Sequence, residues 1–454
     1  MEKKEVENQY CEELEKEESH TCEVWTTSIW TDNMLNALKQ GVKGGKWHSL
    51  IDKVYSLNNL MKSFQQVKGN KGGAGIDKVS IKQYEEHLES NLTKVSKELK
   101  EGRYIPKAVK RVVIPKPGSK EGRPLGIPTV EDRTVQMSTY NVIAPIFEKE
   151  FLDCSYGFRP NRGCKDALRE VQELLNAGYL YIVDADIKAY FDNIPHERLM
   201  ERIKEHIADR PLLKLIKSYL KQHIMDEMKE WEPEKGTPQG AVLSPLLSNI
   251  YLNNFDRQMT DKGYKIVRYA DDWIAICKTV EEARNALADA AEWMERNQLK
   301  LHPTKTRIVD MNIEGEYFEF LGYKFKRHTS KKPGKSNIKR FPRDKSLKKF
   351  RDKIRINTRR CNANSLKTII DKINPSIRGW YAYFKHCYWT TFESLDGWIR
   401  MRLRSILRKR MKGKGRGRGL DHKRWRNSFF EENGLFSLAA RHEYEVSVLR
   451  QGNH

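Results

Sequence analysis

Three aspartates stand where this sequence could do chemistry. Asp186 lies near the end of the apolar run YLYIVDADI (179–187), and Asp271 and Asp272 follow Tyr269 inside IVRYADDWIAIC (266–277), a stretch that reads as one strand with the acid pair in its middle. Carboxylates among strand residues are costly to bury without compensation. A turn or a helix cap accounts for any one of them taken alone. Two strands that bring Asp186 beside Asp271 and Asp272 would instead gather hard oxygen donors suited to two Mg²⁺ ions. Such a pair of ions is what in-line phosphoryl transfer uses, one activating a hydroxyl and the other holding a triphosphate and its departing pyrophosphate.

The elements that must position these acids are mixed α/β. Between the two strand signals lie helical patterns around Leu199 to Leu220 and Leu243 to Leu252. Upstream, Val54, Leu57, Leu60, Met61 and Phe64 recur at helical spacing before Gly69, Gly72, Gly73 and Gly75, so the folded body is expected to start near Leu50. The stretch from Tyr104 to Thr129 predicts a basic β-hairpin, with Val112, Val113 and Ile114 in a strand and the turn around Pro117 and Gly118. After Lys324 the chain turns Lys/Arg-rich and reads as helical, with Leu347, Phe350 and Ile354 on one apolar stripe and Ile369, Ile370 and Ile373 on another. KRMKGKGRGRG (409–419) reads as a flexible cationic linker to a short terminal module.

Composition narrows the partners. A formal charge of +23 and a pI near 9.5 call for a polyanion. No apolar run is long enough to span a membrane and no secretory segment follows Met1, which predicts a soluble, cytoplasmic, nucleic-acid-associated protein with no membrane partner. Seven scattered cysteines without a CxxC pair argue against disulfides and structural zinc; Cys11, His20 and Cys22 fit no common zinc spacing, and Cys277 reads as core. The first twenty residues carry eight glutamates against three lysines, opposite in sign to the rest, and suggest an appendage.

Eight blocks in order give the sequence a family resemblance: IPKPGSKEGRPLGIPTVEDR, SYGFRPNRGCKDAL (155–168), VDADIKAYFDNIPHERL, GTPQGAVLSPLLSNIYLN (236–253), RYADD, LKLHPTKT (299–306), FEFLGYKF (318–325) and RGWYAYF (378–384). The chain resembles group II intron-encoded reverse transcriptases (maturases) of the compact type lacking a C-terminal endonuclease domain, from about residue 51 to 440. The resemblance implies an α+β right-hand polymerase, its fingers and palm built on antiparallel sheet, followed by an α-helical thumb and a small basic C-terminal module. The expected divisions are 1–50, the acidic extension; 51–170, fingers; 171–330, palm; 331–400, thumb or maturase domain; and 401–454, DNA-binding module. The implied metal ligands are Asp186, Asp271 and Asp272. Phe191 matches the aromatic under the incoming sugar that excludes a 2′-hydroxyl, Lys116 and Arg123 the basic residues that close on the triphosphate, Gln239 a nucleotide contact, and Lys305 a lysine that assists proton transfer. Ala241 departs from the pattern, standing where many relatives have glycine.

Two basic regions complete the reading. Eleven Lys/Arg lie between Lys339 and Arg360, including Lys345, Lys348, Lys349, Arg351 and Lys353, against Asp344 and Asp352. A solvated helix face is the ordinary account of such a run, and the scarcity of acids weighs against it. The resemblance assigns these cations to intron RNA and the template-primer duplex, and Arg416 and Arg418 to target DNA. Trp380, Tyr381, Tyr383 and Phe384 read as core more than as base-stacking platforms. The implied function is RNA-directed DNA polymerisation from dNTPs, joined to binding of the intron RNA for splicing and mobility. A maturase with a vestigial polymerase site and a host-adopted relative in repair or phage defence are the rivals, and genomic context separates the latter.

Overall fold

Alternating apolar residues build the strands that carry the aspartates. In chain order the strands are β1 (Val109–Pro115), β2 (Gly122–Ile127), β3 (Tyr181–Asp186), β4 (Ile224–Asp226), β5 (Lys229–Trp231), β6 (Lys265–Tyr269), β7 (Asp272–Cys277), β8 (Arg307–Asp310), β9 (Tyr317–Phe320), β10 (Tyr323–Thr329) and β11 (Ser336–Pro342). The computed structural model describes residues 29–42, 44–115, 122–226, 229–329 and 336–451. They fall into two units, one ending at Ile308 and the other beginning at Val309.

In the first unit, the sheet β6-β7-β3-β8 is the frame of the site. β3 and β6 both run antiparallel to β7, with Asp186 opposite Asp272 and Tyr269 opposite Asp272. Side chains alternate across a strand, so Val183, Ala185, Trp273, Ala275 and Cys277 share the face that enters the main core. Phe255 of helix Ser244–Asp261 and Trp293 of helix Val280–Arg296 close over that face, with ring centroids 4.9 Å from Trp273 to Phe255 and 5.2 Å from Phe255 to Trp293. Each such buried aromatic contributes roughly 1.5–3 kcal/mol by area. The opposite face bears Ile182, Ile274 and Ile276 along its length and the acids Asp184, Asp186 and Asp272 toward one end.

Helix Val280–Arg296 shows why the supporting helices form. Thr279 accepts a hydrogen bond from Glu282 N, Glu281 and Glu282 sit at the positive end, Arg296 sits at the negative end, and Ala283, Ala286, Ala290 and Trp293 bury one stripe. The second sheet, β2-β1-β4-β5, contains the expected hairpin, in which Lys110 to Pro115 pair with Ile127 back to Gly122. Its turn, including Lys116, Pro117 and Gly118, lies outside the described residues. The parallel pairing of β1 with β4 has no signal in the local sequence.

The body starts earlier than Leu50. Trp30 and Trp47 are buried and meet edge to face at 5.1 Å, with helix Asp32–Gln40 between them in the chain. Residues 1–28, which hold the acidic run and Cys11, His20 and Cys22, lie outside the described residues.

The second unit opens with strands, where the cationic composition had suggested helix. β9 and β10 are joined through Leu321 and Gly322, both at positive φ (48° and 80°), the geometry of a type I′ hairpin. Phe318 and Phe325 stack at 4.8 Å, so FEFLGYKF is a hairpin core block. β10 then pairs with β11, and helix begins only at Asp344. Phe350 and Ile354, and Ile369, Ile370, Ile373 and Ile377, form the buried stripes of helices Asp344–Asn357 and Leu366–Phe384. Tyr381 and Phe384 are core residues, Trp380 stacks on Phe384 at 4.8 Å, and Tyr383 donates to Leu321 O at 2.7 Å.

The glycine-rich run is not a free tether. Gly413 N donates to Arg408 O, Arg408 Nε donates to Lys414 O, and a Cβ on Gly417 would stand 3.2 Å from Arg404 Cβ, so the run lies on helix Thr390–Arg410. Buried Asp396 of that helix accepts from Leu438 N at 3.1 Å and Ala439 N at 3.0 Å, capping helix Leu438–Gln451. Cys154, Cys164, Cys277, Cys361 and Cys387 are free thiols, Cys277 within the core. Among the described residues no helix is long and apolar enough to cross a membrane.

Candidate active site

The run IVRYADDWIAIC is two strands, correcting the single strand expected. β6 ends at Tyr269 and β7 begins at Asp272, so Ala270 and Asp271 form a two-residue turn with Ala270 at φ 59°. Positive φ is unfavourable for alanine, and no Gly or Asn marks the turn in the sequence. Distant residues hold it. Arg268, fully buried, donates to Ala270 O at 2.9 Å, to Asp256 Oδ1 at 2.7 Å and Oδ2 at 2.5 Å, to Asn249 Oδ1 at 3.0 Å and to Ser155 Oγ at 2.8 Å. Gly157 presses on the turn from outside, since a Cβ there would stand 2.4 Å from Ala270 N. Burial pushes the Asp256 carboxyl up, against the pull of Arg268. Sequence reasoning missed Arg268, Asp256, Asn249 and Gly157 as supports of the site. The glycine in SYGFRP was the one visible signal.

Asp186, Asp272 and Lys305 meet in the first unit. His302 N donates to Asp186 O at 2.7 Å and Lys188 N to Lys300 O at 2.8 Å, which lays residues 300–302 beside the end of β3. The turn that follows, in which Lys305 N and Thr306 N donate to His302 O, returns the Lys305 ammonium to Asp186, and the two form an ion pair. Both groups are substantially exposed, so solvent keeps the pair weak and exchangeable.

Phe191 and Gln239 belong to one backbone-linked cluster. Phe191 sits on the short helix Tyr190–Asn193, entered through Ala189 in the left-handed region. Tyr190 anchors that helix by donating to Ser248 O at 2.8 Å, and burial raises its phenol pKa. The GTPQG loop docks on it, with Thr237 N donating to Phe191 O at 2.7 Å and Gly236 N to Ile194 O at 2.8 Å. Gly236 has φ 89° and lies so close that a Cβ would be 2.9 Å from Phe191 O. On its other side Gly126 N of β2 donates to Gln239 O at 2.7 Å, while the Gln239 amide reaches Asp192 at 3.4 Å. Arg123 lies in β2 opposite Ile114, its side chain outside the described part, and Lys116 falls wholly outside it. Ala241 is buried.

His196 is a further support that the sequence did not reveal. Buried at the start of helix His196–His206, its Nε2 lies 2.7 Å from Gly236 O, and burial lowers its pKa. His196→Ala would orphan that carbonyl at a cost of about 1–3 kcal/mol and, on the polymerase function proposed below, is expected to raise KM for dNTP roughly 5–100-fold while altering kcat less. Because the folded-state pKa is depressed, the neutral ring's contribution is present above the unfolded pKa and is lost as pH falls through the lower folded-state pKa. Steady-state KM measured from pH 8 down to 5.5 in parent and variant checks this; a flat parent profile and an unchanged KM in the variant would dismiss the role.

The donor set fits a hard divalent cation in being all carboxylate oxygen, with Asp186 and Asp272 on directly paired positions. Among the described residues no three His, Cys, Asp or Glu side chains are gathered as a metal cluster, and Lys305 supplies positive charge at Asp186. In the second unit Arg351 is half-buried, whereas Lys345, Lys348, Lys349 and Lys353 are exposed, as are Arg416 and Arg418.

Comparison with known proteins joins this geometry to a family. The family of reverse transcriptases (RNA-dependent DNA polymerases) matches residues 114–325, and the group II intron maturase-specific domain matches residues 347–425. Group II intron-encoded protein LtrA of Lactococcus lactis subsp. cremoris is 37% identical over 212 residues, 47% of this chain and 35% of that protein. Protein YkfC of Escherichia coli is 31% identical over 311 residues, 60% of this chain and 81% of that protein. Nuclear intron maturase 1 of Arabidopsis thaliana is 32% identical over 194 residues, 31% of this chain and 27% of that protein. The matched stretch thus spans about a third of LtrA's length. Reverse transcriptases work with divalent metal ions, and the mixed helix-and-sheet first unit carries the reverse transcriptase fold. A reverse transcriptase region followed by a maturase-specific region, in one chain and in that order, places this protein in the family of group II intron-encoded reverse transcriptases and maturases.

Proposed function

We propose that the protein copies RNA into DNA from dNTPs, and that it binds the group II intron RNA that encodes it to assist splicing and mobility. The pairing of Asp186 with Asp272 across β3 and β7, beside a turn that presents Asp271, is the observation that carries this reading. Asp186, Asp271 and Asp272 would hold two Mg²⁺, which when bound supply charge stabilisation at the attacking and leaving oxygens. The chain's own groups do the rest. Phe191, fixed through its carbonyl by Thr237, would lie under the sugar and exclude a 2′-hydroxyl. Gln239 would contact the nucleotide from the same loop, and Lys116 and Arg123 would neutralise and orient the triphosphate. Lys305, paired with Asp186, would serve proton transfer.

On this reading the acidic extension ends before the buried Trp30, the fingers run from there to 170, 171–330 are the palm, 331–400 the helical thumb and 401–454 a DNA-binding module. Lys345, Lys348, Lys349, Arg351 and Lys353 would meet phosphates of intron RNA and the template-primer duplex, and Arg416 and Arg418 those of target DNA.

Primer extension on an RNA template in Mg²⁺ tests the activity. Parent protein is expected to extend with dNTPs, and Phe191→Ala to lower the dNTP-to-rNTP ratio of kcat/KM by about 10–100-fold, the scale on which a pocket rejects one added group. No extension by the parent would defeat the activity. An unchanged ratio in the variant would remove Phe191 from sugar selection.

A further inference from the structure

Where helix Asp344–Asn357 meets helix Thr390–Arg410, three guanidinium groups share one indole. The central carbons of Arg351, Arg355 and Arg402 lie 5.8, 5.7 and 5.4 Å from the Trp398 ring centroid. Helical spacing arranges this, since 351 and 355, and 398 and 402, are four residues apart and so share a face of their helices. The carboxylate at hand is Asp352, 2.5 Å from Arg355 and half exposed.

Arg402 is committed inward. It donates from Nε to Thr358 Oγ1 at 2.7 Å and from an Nη to Thr358 O at 2.9 Å, closing the C-terminal end of helix Asp344–Asn357. Burial, and secondarily the neighbouring Arg355, lower its pKa. Arg351 Nε is shielded from solvent and makes no hydrogen bond among the described residues. Cation-π attraction to one indole offsets part of this crowding, at about 0.5–2 kcal/mol per contact. The remaining imbalance is what an anion would relieve.

We propose that Arg351 and Arg355, laid on the Trp398 plate beside the inward-bound Arg402, form a clamp for phosphodiester groups, taking nucleic-acid backbone and reading no bases. That its ligand is nucleic acid rests on the function proposed above; that it takes an anion rests on the geometry. Planar guanidinium forks match phosphate oxygens in pairs, and a guanidinium already laid on an aromatic ring loses less freedom on binding. The arginines occupy the indole, so the ring is committed to them and not to base stacking. The resulting contact fixes position without conveying sequence. The clamp spans two helices, whereas the charge run in the sequence suggested a single helical face.

The test compares three variants of the full chain against two probes, a group II intron transcript and a random-sequence duplex DNA, in filter-binding titrations over a range of salt. Arg351→Gln/Arg355→Gln removes two clamp charges, Lys345→Gln/Lys353→Gln removes two exposed charges of the same helix, and Trp398→Leu keeps every charge while removing the plate. The clamp double variant is expected to lose at least about tenfold in affinity and to flatten the salt slope by roughly 1.4–1.8, from about 0.7–0.9 per phosphate contact. The lysine pair is expected to lose less than half as much in log affinity. Trp398→Leu is expected to weaken binding several-fold, and a parent-like affinity in that variant overturns the plate. Loss confined to the transcript assigns the clamp to RNA, and loss confined to the duplex assigns it to DNA; either supports the clamp. Equal losses in the arginine and lysine pairs on both probes overturn it. Primer extension on a short template, measured in parallel, reports on the polymerase reading separately, because its failure with the clamp effect intact would sink that reading and leave the clamp standing.

Discussion

Replacing Asp271 or Asp186 by alanine is expected to lower primer extension by at least about 10³-fold, the scale on which loss of a preorganised electrostatic group registers. RNA binding should stay near the parent level. The separation follows from position. Asp271 sits in the Ala270–Asp271 turn, partly exposed, and Arg268 and Gly157 hold that turn through the Ala270 backbone. Asp186 ends β3 and its side chain pairs with the exposed Lys305, so alanine there leaves no buried charge behind. Neither change therefore has a route to global unfolding, and the loss should fall on catalysis. Single-turnover extension on RNA and DNA templates, with circular dichroism as the folding control, reads this directly. Extension by Asp271→Ala at near parental rate would sink the assignment of these carboxylates.

Much of the frame around those acids was legible because hydrophobic period is a local property. β3 announced itself as a six-residue apolar alternation ending in an acid, and the stripes at Phe350/Ile354 and Ile369/Ile370/Ile373 fell on buried helical faces. The β1 and β2 pairing was legible from Val112, Val113 and Ile114 standing ahead of the Pro117-Gly118 dipeptide in the sequence. What escaped depends on partners far away in the chain. The break at Ala270 is invisible locally because its strain is held by Arg268, Asp256 and Ser155, the last more than a hundred residues upstream. β10 and β11 escaped because their cations resemble a solvated helix until pairing is known, and the buried Trp30 and Trp47 because the acidic composition before them drew the boundary too late.

The glycine-rich run shows the same limit from the other side. Composition alone predicts a tether, yet Arg404 and Arg408 hold residues 413–418 against their own helix, and Phe430 and Leu438 beyond it are fully buried. Cutting the chain there would strip core from the second unit. The role of Arg416 and Arg418 is therefore better probed by substitution than by truncation. For the candidate site the pattern is alike: the reactive side chains were visible as motifs, while the groups that aim them, Arg268, Gly157 and His196, became visible only through the fold.

Asp256→Ala is expected to destabilise the first unit by about 3–5 kcal/mol, because it leaves the Arg268 guanidinium buried without its counter-charge. Both side chains of this pair are fully enclosed, so water cannot take the carboxylate's place. The magnitude is a large share of the roughly 5–15 kcal/mol that holds a typical domain together. Asp256→Leu with Arg268→Met should cost less than Asp256→Ala, since no charge then remains to be solvated and the volume stays filled. The double variant nevertheless loses the donor to Ala270 O, so the turn that presents Asp271 and Asp272 is freed. Stability and activity should thus part company: a midpoint between those of the parent and Asp256→Ala in the double variant, because Ala270 O, Asn249 Oδ1 and Ser155 Oγ lose their donor, with strongly reduced extension, and the lowest midpoint in the single one. Urea unfolding of parent, Asp256→Leu alone, Arg268→Met alone and the double variant gives the coupling energy between the two positions, expected at several kcal/mol. A midpoint for Asp256→Ala equal to the parent's would show that the pair bears no part of the fold. Full activity in the double variant would show that the buried arginine does not hold the catalytic turn.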